Sequence, residues 1–438
     1  MKHEIGIGIV GFGTVGSGAA TILFRNAELI ARRVGSSLRV KRIVDRDVTS
    51  DRGLALPEGV LGTDLQALMQ DASIDIVVEL VGGCEVAKRI MLDAIDAGKH
   101  VVTANKALLA THGEEVFAAA HRAGVDVGFE ASVGGGIPII QSLNGGLAAN
   151  RCVSLVGILN GTSNYILTRM KCEGQDFQEA LAHAQAAGYA EADPAFDIEG
   201  VDAAHKLAIM VSLAYGTPVT MQDIYTEGIQ RLTALDIRYA SELGMTVKLL
   251  GVAKHHGESI EARVHPTMID STAPLARVDG VYNAIHVVGD AVGDVMLYGQ
   301  GAGSLPTGSA VVSDVMDIAR NVRQGVRGRV PPTSFHMDCR TPIRIRPMEA
   351  VTARYYLRCM VPDQPGVLSR IAGILGDHAI SIASVLQQAR REGQTVPVVI
   401  MTHRASERAV QTALRTINGL ASLVSEPVTL IRVEDQEP

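Results

Sequence analysis

Short apolar runs alternate with helical stretches over the first third of the chain. Residues 5–10 read as a buried strand, followed by a glycine-rich turn and a helix over 17–33. Apolar runs at 38–45, 74–80 and 100–103 predict three further strands, with helices over 86–97 and 114–123 and a fifth strand at 125–130. Strands alternating with helices build a parallel sheet wound on both faces. Past residue 132 this regularity is lost. Segments 151–159, 259–265 and 284–290 read as strands of a second sheet, and 202–215 as a helix with Ala203, Leu207, Met210, Val211 and Ala214 on one stripe. A helix over 307–322 is expected to return to the first sheet, and 324–350, rich in Arg and Pro, reads as a linker. The remainder runs strand (354–361), turn, helix (367–378), strand (380–388), strand (395–402), helix (407–417), strand (428–433), a ferredoxin-like βαββαβ order.

The chain has 438 residues, more than one ordinary core holds, so two or three domains are expected. Hydrophobic residues make up 47% of it, which excludes a disordered chain. The net charge of −7, with no basic face or arm, argues against a nucleic-acid partner. No apolar run reaches membrane-spanning length, so no membrane partner is expected. The five cysteines form no CxxC pair and read as reduced thiols of a cytoplasmic protein. The apolar start after Lys2 mimics a signal peptide, but cleavage there would destroy the glycine turn, so it is read as part of the fold.

That turn, Gly11-Phe12-Gly13-Thr14-Val15-Gly16, follows a strand and opens a helix, the context a dinucleotide-binding loop requires. Gly11 permits the tight turn, Gly13 lets the backbone approach a pyrophosphate, and Gly16 lets the helix pack on the strand. Asp45 ends the second strand, where an acid holds the ribose 2′-OH of NAD; Arg46 and Arg52 beside it could hold a 2′-phosphate instead, so NAD and NADP both stay open. The long spacing from Gly16 to Asp45 suggests an extended first helix. Thr103-Ala104-Asn105-Lys106 ends a parallel strand on the ligand side of such a sheet, where Lys106 is either a cofactor or substrate contact or a solvated helix-start lysine.

Farther on, Gly188-Tyr189-Ala190-Glu191-Ala192-Asp193-Pro194 leads through Asp197 to Asp202 and Lys206. The last two, four apart on a helix, share one face. Reduction of a carbonyl creates an alkoxide, and a lysine can supply both its proton and a nearby positive charge. The bland alternative is an ordinary surface ion pair, but the apolar stripe of the helix argues for burial. His205, about 100° round the helix, reads as packing or solvated. Asn160-Gly161-Thr162-Ser163-Asn164 reads as a turn capping a helix from 165.

These motifs in this order, together with Glu130-Ala131-Ser132-Val133-Gly134-Gly135-Gly136-Ile137-Pro138, resemble homoserine dehydrogenase over residues 5–325. The resemblance implies a Rossmann-type domain (1–131, with about 304–325 returning), an α+β substrate and dimerisation domain (132–303), the linker (326–350) and a C-terminal ACT domain (351–434), the last carried by Asp363-Gln364-Pro365-Gly366. It implies NADP- or NAD-dependent interconversion of L-homoserine and L-aspartate 4-semialdehyde. Lys206 would donate the proton, assisted by Lys106; Glu191 and Asp202 would hold the substrate amino acid, with Gly188 contributing backbone. Residues 11–16, Asp45, Arg46, Thr103, Lys106 and Gly303 would hold the cofactor. A sodium ion would sit at the glycine hinge on Glu130, Val133, Gly135 and Ile137. The ACT domain would take an amino-acid effector, L-threonine by resemblance, although Ala379 stands where Gly or Asn commonly precedes the Ile-Ser-Ile run. A homodimer or homotetramer is expected, without a fused kinase domain. The competing readings are another ACT-tailed amino-acid or hydroxy-acid dehydrogenase, which would need a His–carboxylate pair, and a non-enzymatic amino-acid sensor.

Overall fold

A computed structural model describes residues 2–387, 394–420 and 423–435. It begins with strand β1 (Glu4–Val10), helices α1 (Thr14–Arg25) and α2 (Ala27–Val34), β2 (Ser37–Val44), β3 (Leu61–Gly62), α3 (Leu65–Gln70), β4 (Ile76–Glu79), α4 (Glu85–Asp96), β5 (His100–Thr103), α5 (Lys106–Ala123) and β6 (Val127–Gly128). These strands form a wholly parallel sheet in the order β3-β2-β1-β4-β5-β6. The alternating β and α segments and the order 3-2-1-4-5-6 make it a doubly wound dinucleotide-binding sheet.

Three features depart from the sequence reading. The helix expected over 17–33 starts earlier and breaks at Asn26, whose φ of −103° and ψ of 17° leave the helical region. The residues between Gly16 and Asp45 are therefore taken up by a second short helix ending at a left-handed Gly35 rather than by one long helix. The helix expected from 114 begins at Lys106, because the Asn105 side chain accepts the Leu108 amide and caps it. The fifth strand shrinks to two residues because Glu130 opens a 3₁₀ turn, its amide bonded to the buried Asp314 carboxylate at 2.7 Å.

The chain continues with α6 (Ile139–Gln141), β7 (Cys152–Ile158), α7 (Gly161–Glu173), α8 (Phe177–Ala186), α9 (Ala195–Ile198), α10 (Val201–Tyr215), β8 (Tyr225–Thr226), α11 (Ala234–Glu242), β9 (Met245–His255), β10 (Ser259–Asp270), β11 (Tyr282–Gly289), β12 (Gly293–Gln300) and α12 (Ser304–Gln324). Strands β9 and β12 escaped the sequence reading. β9 is buried on both faces, so it shows no alternation, and β12 mixes Gly, Asp and Tyr with its few aliphatic residues. Last come β13 (Arg344–Ile345), β14 (Thr352–Pro362), α13 (Val367–Asp377), β15 (Ile382–Leu386), β16 (Thr395–Thr402), β17 (Ala405–Ser406), α14 (Glu407–Asn418) and β18 (Thr429–Val433). The strand expected over 380–388 is shorter, and Gln388 lies outside the described residues.

The chain divides into two compact units. The first holds residues 1–155, 205–224 and 282–343. Its core joins Ile5, Ile7, Ile9, Ala19, Leu23, Ile76 and Val78 to Val311, Val315 and Ile318 of α12, so α12 covers one face of the parallel sheet. Close approach of α1 and α12 requires glycine: a Cβ on Gly18 would lie 2.2 Å from the Ser304 carbonyl oxygen. Residues 326–343 fold back within this unit, with both Arg340 terminal nitrogens 2.8 Å from Glu114.

The second unit holds residues 156–204, 225–281 and 344–438. Its sheet runs β9-β10-β18-β14-β16-β15. The part β18-β14-β16-β15, with α13 and α14, is the ferredoxin-like ACT fold, and its core gathers Tyr355, Leu357, Cys359, Ile371, Leu375, Val398, Ile400, Val410, Leu414 and Ile417. β18 pairs in parallel with β10, opposing Arg432 to Thr267 and Val433 to Met268. Buried ion pairs cross the same seam. Arg358 of β14 grips Asp236 of α11 (2.7 Å), and Arg432 reaches across to Glu227 at 2.7 Å while holding Glu407 of the ACT fold itself at 2.5 Å. Among the described residues, no helix is long and apolar enough to cross a membrane.

Candidate functional site

The glycine turn of the first unit has the geometry of a phosphate cradle. Gly11 has φ +98°, and a Cβ there would strike the Leu80 carbonyl at 2.6 Å. A Cβ on Gly16 would lie 2.1 Å from the Gly11 oxygen, so the helix can pack on the strand only with glycine. Around Gly13 nothing lies within 4 Å, which leaves room for a ligand against the backbone and the free amides of α1. The residues present thus fit a dinucleotide pyrophosphate.

Two distant segments brace the cradle. Asp45, at the end of β2, accepts the Phe12 amide on one carboxylate oxygen and the Asp47 amide on the other. Arg52 donates to the Phe12 carbonyl (3.1 Å) and to Asp47 (2.9 Å), while Arg46 is exposed beside them. Gly303 caps α12 with φ +126°, and the next residue, Ser304, donates to the Thr14 carbonyl at 2.7 Å. Val15 is half-buried behind the loop.

At the carboxyl ends of β4 and β5 the Thr103 hydroxyl donates to Glu79 at 2.6 Å, and Glu79 also accepts the Val81 amide. Glu79 is fully buried, and burial pushes its carboxyl up to about 7. Sequence reading passed over this residue, although an acid closing an apolar parallel strand was a visible signal. Lys106 is half-buried at the first position of α5.

Glu130 is 1% exposed, and its carboxylate oxygens accept the Ile140 and Gln141 amides at 2.8 Å each. Burial raises this carboxyl to about 7 as well. The intervening turn carries left-handed Gly134 and Gly135; its own backbone bonds run 133→130, 137→134 and 139→137. The Val133 and Gly135 carbonyls accept none of these bonds, whereas the Ile137 carbonyl accepts the Ile139 amide at 2.8 Å. Among the described residues no group of three or more His, Cys, Asp or Glu side chains could hold a metal ion.

Helix α10 is buried nearly all round: Ala203, Ala204, Leu207, Ala208, Met210 and Val211 are at most 1% exposed. Asp202 and Lys206, one turn apart, are 3% and 7% exposed, which removes the surface-pair reading. His205 is also buried. Asp202 accepts from the Asn160 side-chain amide at 2.8 Å, and the same nitrogen donates to Asp197 at 2.8 Å. Asn160 does cap a helix, which begins at Gly161 rather than 165, but its hold on two acids was not legible from the motif. Gly188 has φ +74°, and the loop after it is exposed, Glu191 and Asp193 included; Asp193 caps the Ala195 amide.

The parallel sheet in this order, the glycine cradle and a buried lysine–carboxylate helix define a dinucleotide-dependent oxidoreductase. The homoserine dehydrogenase family model matches residues 138–316, its NAD-binding-domain model residues 11–130, and an ACT-domain model residues 355–422. The homoserine dehydrogenase of Neisseria gonorrhoeae is 47% identical over 430 residues, covering 98% of both chains. That of Pseudomonas aeruginosa is 47% identical over 431 residues, with the same coverage. A crystal structure of a homoserine dehydrogenase from Thiobacillus denitrificans superposes with a TM-score of 0.93 at 48% identity, covering 99% of this chain and 98% of that one. A hyperthermophilic archaeal homoserine dehydrogenase mutant in complex with NADPH matches 72% of this chain and 97% of its own, with a TM-score of 0.62 at 28% identity. The chain belongs to the homoserine dehydrogenase family, as an NAD(P)-dependent oxidoreductase with a C-terminal ACT domain.

Proposed function

We propose that the chain interconverts L-homoserine and L-aspartate 4-semialdehyde, with Lys206 as the proton donor in the direction of reduction. The observation that supports this most is the buried Asp202 and Lys206 one turn apart on α10. A bound nicotinamide dinucleotide supplies the hydride to the aldehyde carbon, or takes it from the alcohol. Lys206 gives its proton to the oxygen that gains negative charge, and recovers one in the reverse direction. A buried ammonium needs an anionic neighbour, and Asp202, one turn away on the same helix, is the candidate for it. Lys106, at the start of α5, adds positive charge toward the same oxygen. Asp202 and Glu191 bind the ammonium of the amino-acid substrate, and Gly188 offers backbone.

Residues 11–16 hold the pyrophosphate, with Thr103 and Lys106 toward the nicotinamide end and Gly303 closing the cradle. Asp45, already bonded to the Phe12 and Asp47 amides, keeps lone pairs for the ribose, and the exposed Arg46 offers a cation to a 2′-phosphate. NADP or NAD thus serves as cofactor; the archaeal relative solved with NADPH supports the former. Arg46→Ala is expected to raise the KM for NADPH more than that for NADH. A sodium ion on Glu130, Val133, Gly135 and Ile137 would brace the glycine hinge. The division at about 131, 303, 326 and 351, a cytoplasmic location, a homodimeric or homotetrameric assembly and L-threonine as effector at the ACT domain complete the proposal. The test is oxidation of NADPH and NADH with L-aspartate 4-semialdehyde, with and without L-threonine. Turnover that L-threonine suppresses supports it; no turnover with either cofactor overturns it.

A further inference from the structure

The first turn of α7 holds the acid-bearing segment at several points. The Thr162 hydroxyl donates to the Tyr189 carbonyl at 2.7 Å, and the Ser163 hydroxyl to the Asp197 carbonyl at 2.9 Å. Asn160, 5% exposed, accepts the Ser163 amide on its side-chain oxygen at 2.8 Å. Its nitrogen donates one hydrogen to Asp197 Oδ1 and the other to Asp202 Oδ2, both at 2.8 Å. A flipped amide would aim its oxygen at two carboxylates and its nitrogen at an amide donor, so the orientation is fixed.

From this geometry we infer that Asn160 is a positioning residue that aims Asp197 and Asp202, as a pair, at the ammonium group of an amino-acid substrate. Two carboxylates gathered on one nitrogen repel each other, and the shared donor offsets that cost while stopping both from turning away. Asparagine does so without charge. A lysine there would order the acids equally but cancel their negative charge, whereas the neutral amide leaves that charge for a cation. Helix capping alone explains only the oxygen of this side chain. Serine, threonine or aspartate would cap as well, but none presents two N–H donors. The inference rests on the reaction proposed above, because it takes the substrate to be an amino acid.

Asn160→Asp and Asn160→Ser separate the two roles, since both keep the cap and lose the double donation. The readout is the KM for L-homoserine and for the dinucleotide between pH 6 and 9, with thermal melting alongside. For both variants the KM for L-homoserine is expected to rise about ten-fold or more at pH 8, with the dinucleotide KM within about two-fold of the parent. In Asn160→Asp the L-homoserine KM is expected to recover toward acid pH, as the new carboxyl takes a proton and becomes a donor again; Asn160→Ser shows no such recovery. An unchanged KM in both folded variants overturns the inference and leaves a helix cap. Loss of folding in both overturns it in favour of a purely structural role. A parent enzyme that does not turn over L-homoserine removes the proposed reaction, and this inference with it; an active parent with unaffected variants removes this inference alone.

Discussion

Single side chains in this protein carry charge into places that water does not reach. Glu79 is one such titratable group outside α10, and burial keeps its proton on toward neutral pH. Its carboxyl is fully buried and pushed by burial from an ordinary 4.5 up to about 7, against the opposing effect of the Thr103 and Val81 hydrogen bonds. The sign of the pH effect follows from linkage. Below about pH 4.5 both folded and unfolded chains hold the proton and nothing is lost. As pH rises toward 7 the unfolded chain releases it while the folded chain keeps it, so folding stability falls, and the loss levels off above about 7. At 1.36 kcal/mol per pK unit the loss approaches about 3 kcal/mol. Glu79→Gln is therefore expected to be increasingly stable relative to the parent as pH rises from 5 to 7.5, in denaturant titrations of the full chain. A difference that does not change with pH would contradict this. Ala379 makes a second residue-scale case. It sits at φ +57°, where an L side chain is strained by about 1–2 kcal/mol. Ala379→Gly is expected to raise stability by about 0.5–1 kcal/mol, after the entropy that glycine adds to the unfolded chain is subtracted; a lower melting point would contradict it.

At the scale of elements, the parts most legible in the sequence are those whose burial is simple. The parallel strands β1, β4 and β5 are continuous apolar runs, and the apolar stripe of α10 is visible in the sequence and matches its burial. The glycine turn was readable because Gly11 and Gly16 answer to steric demands that no other residue meets. What escaped depends on contacts distant in sequence. β6 ends early because Asp314, 184 residues away, takes the Glu130 amide. Asn26 breaks a helix that its propensity pattern would have continued. Of the candidate site, the acids and lysines were visible as residue types, but the double donation of Asn160 was not, since a cap motif looks the same with or without it. Helix α11 shows the same kind of dependence. Asp236 caps it in a reciprocal box with Thr233, yet it also accepts from Arg358 and Tyr356 on β14. Arg358→Met leaves Asp236, 0% exposed, without its cation, and is expected to cost about 3–5 kcal/mol in a denaturant titration. A cost within experimental error would mean that the pair contributes nothing.

At the scale of the whole molecule, the ACT fold does not hang from the chain as an independent bead. Within the second unit β18 continues the hydrogen-bonded sheet through β10, and the Arg432–Glu407–Glu227 and Arg263–Glu261–Glu434 clusters bury their charges across that seam. The linear order of the sequence presented 351–434 as a separate compact tail, because pairing between β10 and β18 has no local signature. A chain cut after residue 350 would leave Glu227 and Asp236 without the Arg432 and Arg358 cations, and Arg263 with Glu261 but without Glu434. Such a truncation is expected to melt well below the parent or to aggregate, rather than to yield a stable enzyme freed from effector control; a truncated chain with the parent's melting point would refute that coupling.

In the proposed reaction a lysine buried on α10 moves the proton while the first unit holds the cofactor. The most direct measurement of that role is the kcat of Lys206→Ala for reduction of L-aspartate 4-semialdehyde, with the dissociation constant for the dinucleotide determined on the same preparation. In that variant kcat is expected to fall by about 10²–10⁴-fold with dinucleotide affinity unchanged. A variant that binds the cofactor and turns over at the parent's rate would contradict that role.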